Sequence, residues 1–464
     1  MNSIKRLLAS VTAVVAVMAS AVSCDSGKTS EDSIEEETQH ATEPATKNPA
    51  DIRGQHIVWL ADFDLNPEEG ENRSTALALF EDVYGAKIDF VLTQPEEKYE
   101  KLDSMVISGD EVDMFPYEPG AVPDGVSRDR FEALDPYYEM LGMNEGIWND
   151  MNNIIDKLAY KGSHYVVPYD VSDPSVLIYS RNIINEQELG DDPYKLYLDG
   201  KWDWDAFISI MENYVSKAPE GKKRYGICGD IGSSLLSSTG QTVVGFDGSS
   251  LVNNISDPSI EKAGQLMEEI ASKKLYDSDW KDGFPGDKTS LFYSGGSWSL
   301  SVSNGNNPNS DLMVVPFPKP SGMDSYSIPC ILNARMLVKN SAKGAAVATY
   351  IKCERVAASR EDYKSAAKEL ALTEKKISDE KTNFITEEQY DALESYKEVF
   401  KSKPVIDIAY GMGERMYGNG DYSYETRGVM DNLTTAVLEG KIGTWSELRD
   451  AWSDVIDSEV SRFN

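Results

Sequence analysis

Cysteine is scarce in this chain of 464 residues: there are four, and no two stand in a CxxC spacing. The three histidines, His40, His56 and His164, form no cluster, so no zinc-ligand spacing exists and no metal is expected. Cys228, Cys330 and Cys353 cannot all pair, and buried free thiols are expected. Positive charge is also in short supply. The chain has 45 Lys and Arg against 78 Asp and Glu, a net charge of -33 that would repel phosphates and excludes nucleic acid as a partner. That surplus is a surface property, not evidence of a catalytic carboxylate pair. No P-loop, GxSxG elbow, HExxH or post-strand GxGxxG is present, so neither an enzyme nor a cofactor is expected. Internal repeats are missing too. The apolar stretch from Leu7 to Val22 is shorter than the ~20 residues of a spanning helix.

What is present at the N-terminus reads as an address. Lys5 and Arg6 precede that apolar stretch, and the small residues Ala21 and Ser23 flank the site before Cys24, the layout of a secretory signal. Ala21-Val22-Ser23-Cys24 resembles a bacterial lipobox, which implies cleavage after residue 23 and lipid on Cys24; ordinary cleavage beside an incidental cysteine is the alternative. Residues 24–51 are acidic, with Ser, Thr and Pro and almost no large apolar side chain. They cannot bury a core and are expected to be a disordered tether. The remainder is too long for one compact core and sufficient for two lobes.

From Gln55 onward, apolar patterning alternates between strand and helix. Gln55–Phe63, Ala86–Leu92 and Val112–Tyr117 read as strands. Between them, Ser74–Tyr84 (Ser74 as N-cap, Gly85 as stop) and Tyr99–Ser108 read as helices. This β-α-β-α-β order predicts a doubly wound, mostly parallel sheet with right-handed crossovers. Ligands in such sheets bind beyond the carboxyl ends of the strands, which places Trp59–Asp64 and Phe115–Glu118 near a rim. Further on, Trp202–Tyr214, a helix around Ile260–Ile270, a strand at Ala334–Val338, helices at Ala342–Arg355 and Arg360–Leu372, and C-terminal helices over Glu425–Trp452 are expected. The segment Thr289–Pro320 carries a Gly295-Gly296 turn that presents Trp298, a polar loop, and a proline-spaced run at Leu312–Phe317 that reads as an edge strand or a crossing.

Several of these segments resemble bacterial extracellular solute-binding proteins of the sugar-binding ABC-importer type. The carriers are the Gly-Gly-Ser-Trp turn at 295–298, the Gly-Asp and Asp113 before the third strand, Tyr165, Pro168, Tyr169 and Tyr179 in GSHYVVPYDVSDPSVLIYSRNII, and Trp202, Trp204 and Phe207 in WDWDAF. The resemblance implies an α/β fold of two lobes, each a doubly wound, mostly parallel sheet flanked by helices, joined by hinge strands. It divides the chain into a first lobe (52–169), a second lobe (170–311), a return to the first (312–400) and closing helices on the second (401–464). The hinge is placed at Tyr169–Pro174. The implied function is capture of a carbohydrate, an oligosaccharide by preference, and its delivery to the permease subunits of an ABC importer.

Sugar rings present flat C–H faces to aromatic rings, and their hydroxyls need paired donors and acceptors. The ligand-binding candidates are Trp59, Asp62, Asp64, Tyr117 and Glu118 in the first lobe, then Tyr169, Asp170, Asp173 and Trp298. Tyr410, Arg415 and Tyr417 follow in the Gly-rich segment AYGMGERMYGNGDY. Trp59 fits a core position equally well; Asp62 and Asp64 fit caps, Asp113 a structural role, Arg415 an ion pair, and Trp202 and Trp204 packing. Other readings stay open: the same fold with a peptide, polyol or other polar solute, a surface glycoside-cleaving enzyme using two carboxylates, and an adhesin without a cleft.

Overall fold

The structure, a computed structural model, describes residues 51–67, 73–246, 250–278, 289–377, 382–418, 428–440 and 443–464. The expected signal, Cys24 and nearly all of the tether lie outside the described residues, as does the end of the Gly-rich segment.

Strand β1 (His56–Ala61) is buried from Ile57 onward because both of its faces are covered. It pairs in parallel with β2 (Lys87–Leu92) and β3 (Met114–Pro116). Helix α1 (Thr75–Ala78, continued by a π turn over Leu79–Val83) starts where the Ser74 hydroxyl accepts from Leu77 N, and stops at Gly85, whose φ of 70° suits a residue without Cβ. Helix α2 (Lys98–Ser108) leads back to β3, and β4 (Phe131–Glu132) lies at the far edge of the sheet. Asp113 takes the structural role: it is 2% exposed, accepts from Val58 N at 2.8 Å and from Ser341 Oγ at 2.6 Å, and so ties β1 to β3 at the edge remote from their carboxyl ends.

The chain then leaves along β5 (Asp170–Ser172) into β6 (Val176–Ser180). Helix α3 (Trp204–Ser216) begins at Asp203, whose carboxylate accepts from Ala206 N at 3.0 Å. Strand β7 (Tyr225–Cys228), a small hairpin of β8 (Val244–Phe246) and β9 (Leu251–Asn253), helix α4 (Pro258–Ser272), β10 (Tyr276–Asp277), β11 (Ser290–Gly295), helix α5 (Ser297–Asn306) and β12 (Leu312–Pro316) follow. Strand β13 (Ile331–Asn333) pairs antiparallel with β5 to make a two-stranded ribbon, and β14 (Arg335–Val338) rejoins the first sheet. Helix α6 (Gly344–Ser359) covers that sheet, while α7 (Glu387–Ser402) and α8 (Trp445–Phe463) lie on the second lobe.

Among the described residues two five-stranded sheets result, ordered β2-β1-β3-β14-β4 and β10-β7-β11-β6-β12. Each has its own hydrophobic core: Trp59, Phe80, Phe115, Trp148 and Tyr350 are in the first, Trp202, Phe207, Phe292, Tyr396 and Trp445 in the second. In each sheet the strand running against the others is the one attached to the ribbon, β14 in one and β6 in the other. The mostly parallel, two-lobed α/β architecture expected above is therefore present, with its hinge at Asp170–Ser172 and Ile331–Asn333.

Two expectations need correction, and one open reading is settled. The run at Leu312–Phe317, which reads as an edge strand or a crossing, is the edge: β12 borders the second sheet. Its outer carbonyls are not left bare. Trp202 Nε1 donates to Pro316 O (2.8 Å), Trp204 Nε1 to Pro318 O (3.1 Å), Tyr396 Oη to Val314 O (3.1 Å) and Gln389 Nε2 to Leu312 O (2.6 Å). Side chains thus close an edge that prolines would otherwise weaken. The return to the first lobe is accordingly not 312–400. Phe317, Ile328 and the α7 residues Ala392, Leu393 and Tyr396 pack in the second core, whereas Leu332–Cys353 belong to the first and Phe400 reaches back into it. The polar loop expected after Trp298 is likewise helix α5, through Asn306.

Candidate ligand-binding cleft

The registers fix which edges of the two sheets meet. Arg335 at the start of β14 lies opposite Pro116 at the end of β3, and Asn333 opposite Asp170, so the ribbon enters the first lobe at the carboxyl end of β3. Val176 at the start of β6 lies opposite Gly295 at the end of β11, so the ribbon leaves at the carboxyl end of β11. The carboxyl-terminal rims of both sheets therefore flank the hinge, the position where α/β sheets carry ligands.

On the first rim, Asp62 follows β1 and Glu118 follows β3. Lys98, at the start of α2, bridges them: its Nζ is 2.9 Å from Asp62 Oδ1 and also hydrogen-bonds the Glu118 carboxylate. Lys98 is 8% exposed. Burial acts to lower its pKa, but bonds from Glu118 and Asp62 outweigh that and raise it. Burial pulls the Asp62 carboxyl upward, yet the Lys98 bond and charge leave it below the usual carboxylate range. Phe63 beside Asp62 is exposed, with its ring edge-on to Trp59 at 5.6 Å.

Tyr117 faces the seam between the lobes. With Val122, Tyr160, Phe246, Leu251 and Ile408 it lines a cavity of about 20 Å³, room for a water and not for a sugar ring. Burial lifts its phenol to about 12.

The hinge is held from beneath. Arg355, 1% exposed, donates from Nε to Ile147 O (2.6 Å) and from Nη1 to Tyr169 O (2.9 Å), and Nη2 hydrogen-bonds the Asp150 carboxylate. Lys401 on α7 joins the same carboxylate at 3.1 Å and stands 3.9 Å from Asp170. The Arg335 guanidinium is held between the Trp59 and Tyr169 rings, 5.0 and 5.3 Å from their centroids, and bonds Glu354. Tyr169 and Asp170 are thus hinge supports.

On the second rim, Trp298 is 70% exposed at the start of α5, one residue beyond Ser297, which bonds Asp173 in the hinge. Asp230 follows β7. It touches solvent but is surrounded by protein mass; this desolvation and the nearby Asp431 charge raise its pKa. Tyr410 hydrogen-bonds Ser233 and packs edge-on against the exposed Tyr417 at 5.7 Å.

The structure thus brings Asp62, Tyr117 and Glu118 to one rim, Tyr169, Asp170 and Asp173 to the hinge, and Trp298, Tyr410 and Tyr417 to the second lobe. Three candidates are placed otherwise. Trp59 is fully buried in the first core, its indole N–H donating to Phe63 O at 2.8 Å, so it has no face to offer. Asp64 closes its own turn by accepting from Asn66 N at 3.0 Å. Arg415 pairs with Glu459 of α8 at 3.2 Å. Lys98 and Asp230 were missed. Reading Tyr225–Cys228 as a strand would have flagged Asp230 by the same carboxyl-end rule, whereas nothing local marks Lys98.

Two α/β lobes on a ribbon, with facing carboxyl-terminal rims, define a protein that closes on a solute; hinge closure is the known behaviour of periplasmic binding proteins as a class. The model of the family described as bacterial extracellular solute-binding protein matches residues 75–354, and the chain belongs to that family. Solved structures share the fold. An ABC substrate-binding protein of Listeria monocytogenes in complex with cycloalternan is similar over 88% of this chain and 99% of its own, at 13% identity and a TM-score of 0.59. The galacto-N-biose-/lacto-N-biose I-binding protein of Bifidobacterium longum, in complex with lacto-N-biose, covers 88% and 97%, at 13% identity and 0.59. The sugar-binding protein MalE of Xanthomonas citri covers 88% and 98%, at 14% and 0.58. A search of curated proteins finds no match.

Proposed function

We propose that this chain is a lipid-anchored receptor on the outer face of the cell membrane. It captures a carbohydrate, an oligosaccharide by preference, by closing its lobes, and hands it to the permease of an ABC importer. The observation that carries this reading is Trp298: a large apolar ring, 70% exposed, at the hinge end of one rim, across from a rim of charged hydrogen-bonding groups. An exposed indole suits the C–H face of a sugar. Asp62, Glu118 and Asp230 accept from hydroxyls, and Lys98 donates. The sugars bound in the similar structures support the same ligand class. Anchoring rests on the basic, apolar and small-residue run ending at Cys24.

The function is capture without bond breaking. The solute-binding family to which the chain belongs supports capture over catalysis. The test is a panel of mono- and oligosaccharides, with peptides and polyols alongside, read by thermal shift, tryptophan quenching and product analysis. Saturable stabilisation by a sugar left intact is expected. Stabilisation by a peptide or polyol alone, or release of sugar products, would replace this reading.

A further inference from the structure

Asp173 sits where the hinge ribbon turns into the second lobe, between Ser172 and Pro174, with a φ of 39° that side-chain-bearing residues adopt rarely. Its carboxylate does not point at open space. Oδ1 accepts from Ser297 N at 3.0 Å and also from the Ser297 hydroxyl. Ser297 is the first residue of α5, and the preceding residue, Gly296, has no side chain with which to cap the helix. The orphan N–H at the start of α5 is thus satisfied by the hinge and not by the helix's own flank. Gly296 permits the approach, since a Cβ there would meet Asp173 Oδ1 at 3.3 Å. The other end of α5 is fixed to the second lobe: Asn304 Nδ2 donates to Gln389 Oε1 (2.8 Å) and Phe384 O (2.9 Å). The next residue after the capped one is Trp298.

We propose that Asp173 is a positioning residue that passes the backbone angle of the hinge to the Trp298 indole by capping α5 from the ribbon. The inference rests on the reading of Trp298 as the ligand-facing ring, but its first test needs no ligand. A change of angle at Ser172–Pro174 moves the Asp173 carboxylate against Ser297, so the indole is set by the same backbone that sets the lobes. Asp173 acts through Trp298 and does not itself touch the ligand.

The experiment uses full-length, ligand-free protein labelled with 5-fluorotryptophan, with W298F assigning one of the eight tryptophan signals. D173G relieves the strained φ but removes the oxygen, D173A removes the oxygen alone, and D173N keeps an accepting oxygen. The Trp298 signal should shift or broaden in D173G and D173A, stay near wild type in D173N, and leave the other seven in place. An unmoved signal in D173G, or a D173N signal displaced as far as that of D173G, overturns the proposal. S297A, which removes only the hydroxyl half of the cap, gives a smaller displacement and serves if D173A does not fold. With the panel oligosaccharide that best stabilises the wild type, D173G should bind more weakly than both the wild type and D173N. In a W298A background D173G should cost nothing further; an additive loss means that Asp173 contacts the ligand. If no sugar binds while the fluorine signals behave as stated, the carbohydrate reading fails and the coupling stands.

Discussion

Replacing Trp298 by alanine should cost binding and leave folding nearly untouched, whereas the same change at Trp59 should do the reverse. Trp298 is 70% exposed and Trp59 is 0% exposed. Large aromatic side chains bury about 150–250 Å², so a sugar ring on one indole face covers on the order of 80 Å². At about 25 cal/mol per Å² that area is worth about 2 kcal/mol, or roughly 30-fold in Kd. An exposed surface substitution changes stability by no more than about 0.5 kcal/mol. Removing the buried Trp59 indole opens a cavity in the first core and costs about 3–5 kcal/mol. Titration calorimetry with the panel oligosaccharide gives the first quantity, and urea unfolding of both variants gives the second. The reasoning is refuted if W298A binds within about two-fold of wild type, or if W298A unfolds as easily as W59A.

Arg355→Ala should destabilise by about 1–3 kcal/mol in urea, because it leaves the Ile147 and Tyr169 carbonyls without their buried donor while Asp150 keeps Lys401; a loss under about 0.5 kcal/mol contradicts the hinge account. Lys98→Met should destabilise by about 1.5–3 kcal/mol at neutral pH. In the wild type the lowered Asp62 pKa supplies stability that is present above 3.8 and lost as pH falls through the folded value, so the gap between variant and wild type should narrow in acid. Asp407 runs the other way. It is held between the N–H groups of Val243, Val244 and Ala409, and burial raises its pKa from 3.8 to about 6. A raised carboxyl binds its proton more tightly when folded, so its contribution to stability falls between pH 4 and 6, by about 3 kcal/mol at 1.36 kcal/mol per pH unit. Asp407→Asn should flatten that part of the urea-derived stability profile, and an unchanged slope would contradict the assignment.

Local signals in the chain carried far. Ser74, Asp203 and Gly85 mark the helix ends at which α1 and α3 begin or stop, because a cap is a contact within three residues. The alternation of strand and helix was enough to place Asp62 and Glu118 beyond the ends of β1 and β3. What the sequence concealed are contacts between distant residues. Leu312–Phe317 reads as an edge strand or a crossing until Trp202 and Trp204, 114 residues away, are seen to close its edge. Lys98 looks like an ordinary helix-start lysine until two carboxylates from separate strands converge on it. Trp59 and Trp298 are the same residue type; the first strand is covered on both faces while the Trp298 side chain at the start of α5 is exposed, and only packing tells them apart.

The most direct test is small-angle X-ray scattering of the protein, alone and saturated with the oligosaccharide that best stabilises it. Lobes closing about the ribbon of Asp170–Ser172 and Ile331–Asn333 predict a smaller radius of gyration with sugar present, reversed when the sugar is removed intact. An unchanged radius at saturation, or a sugar recovered in cleaved form, would contradict capture by closure.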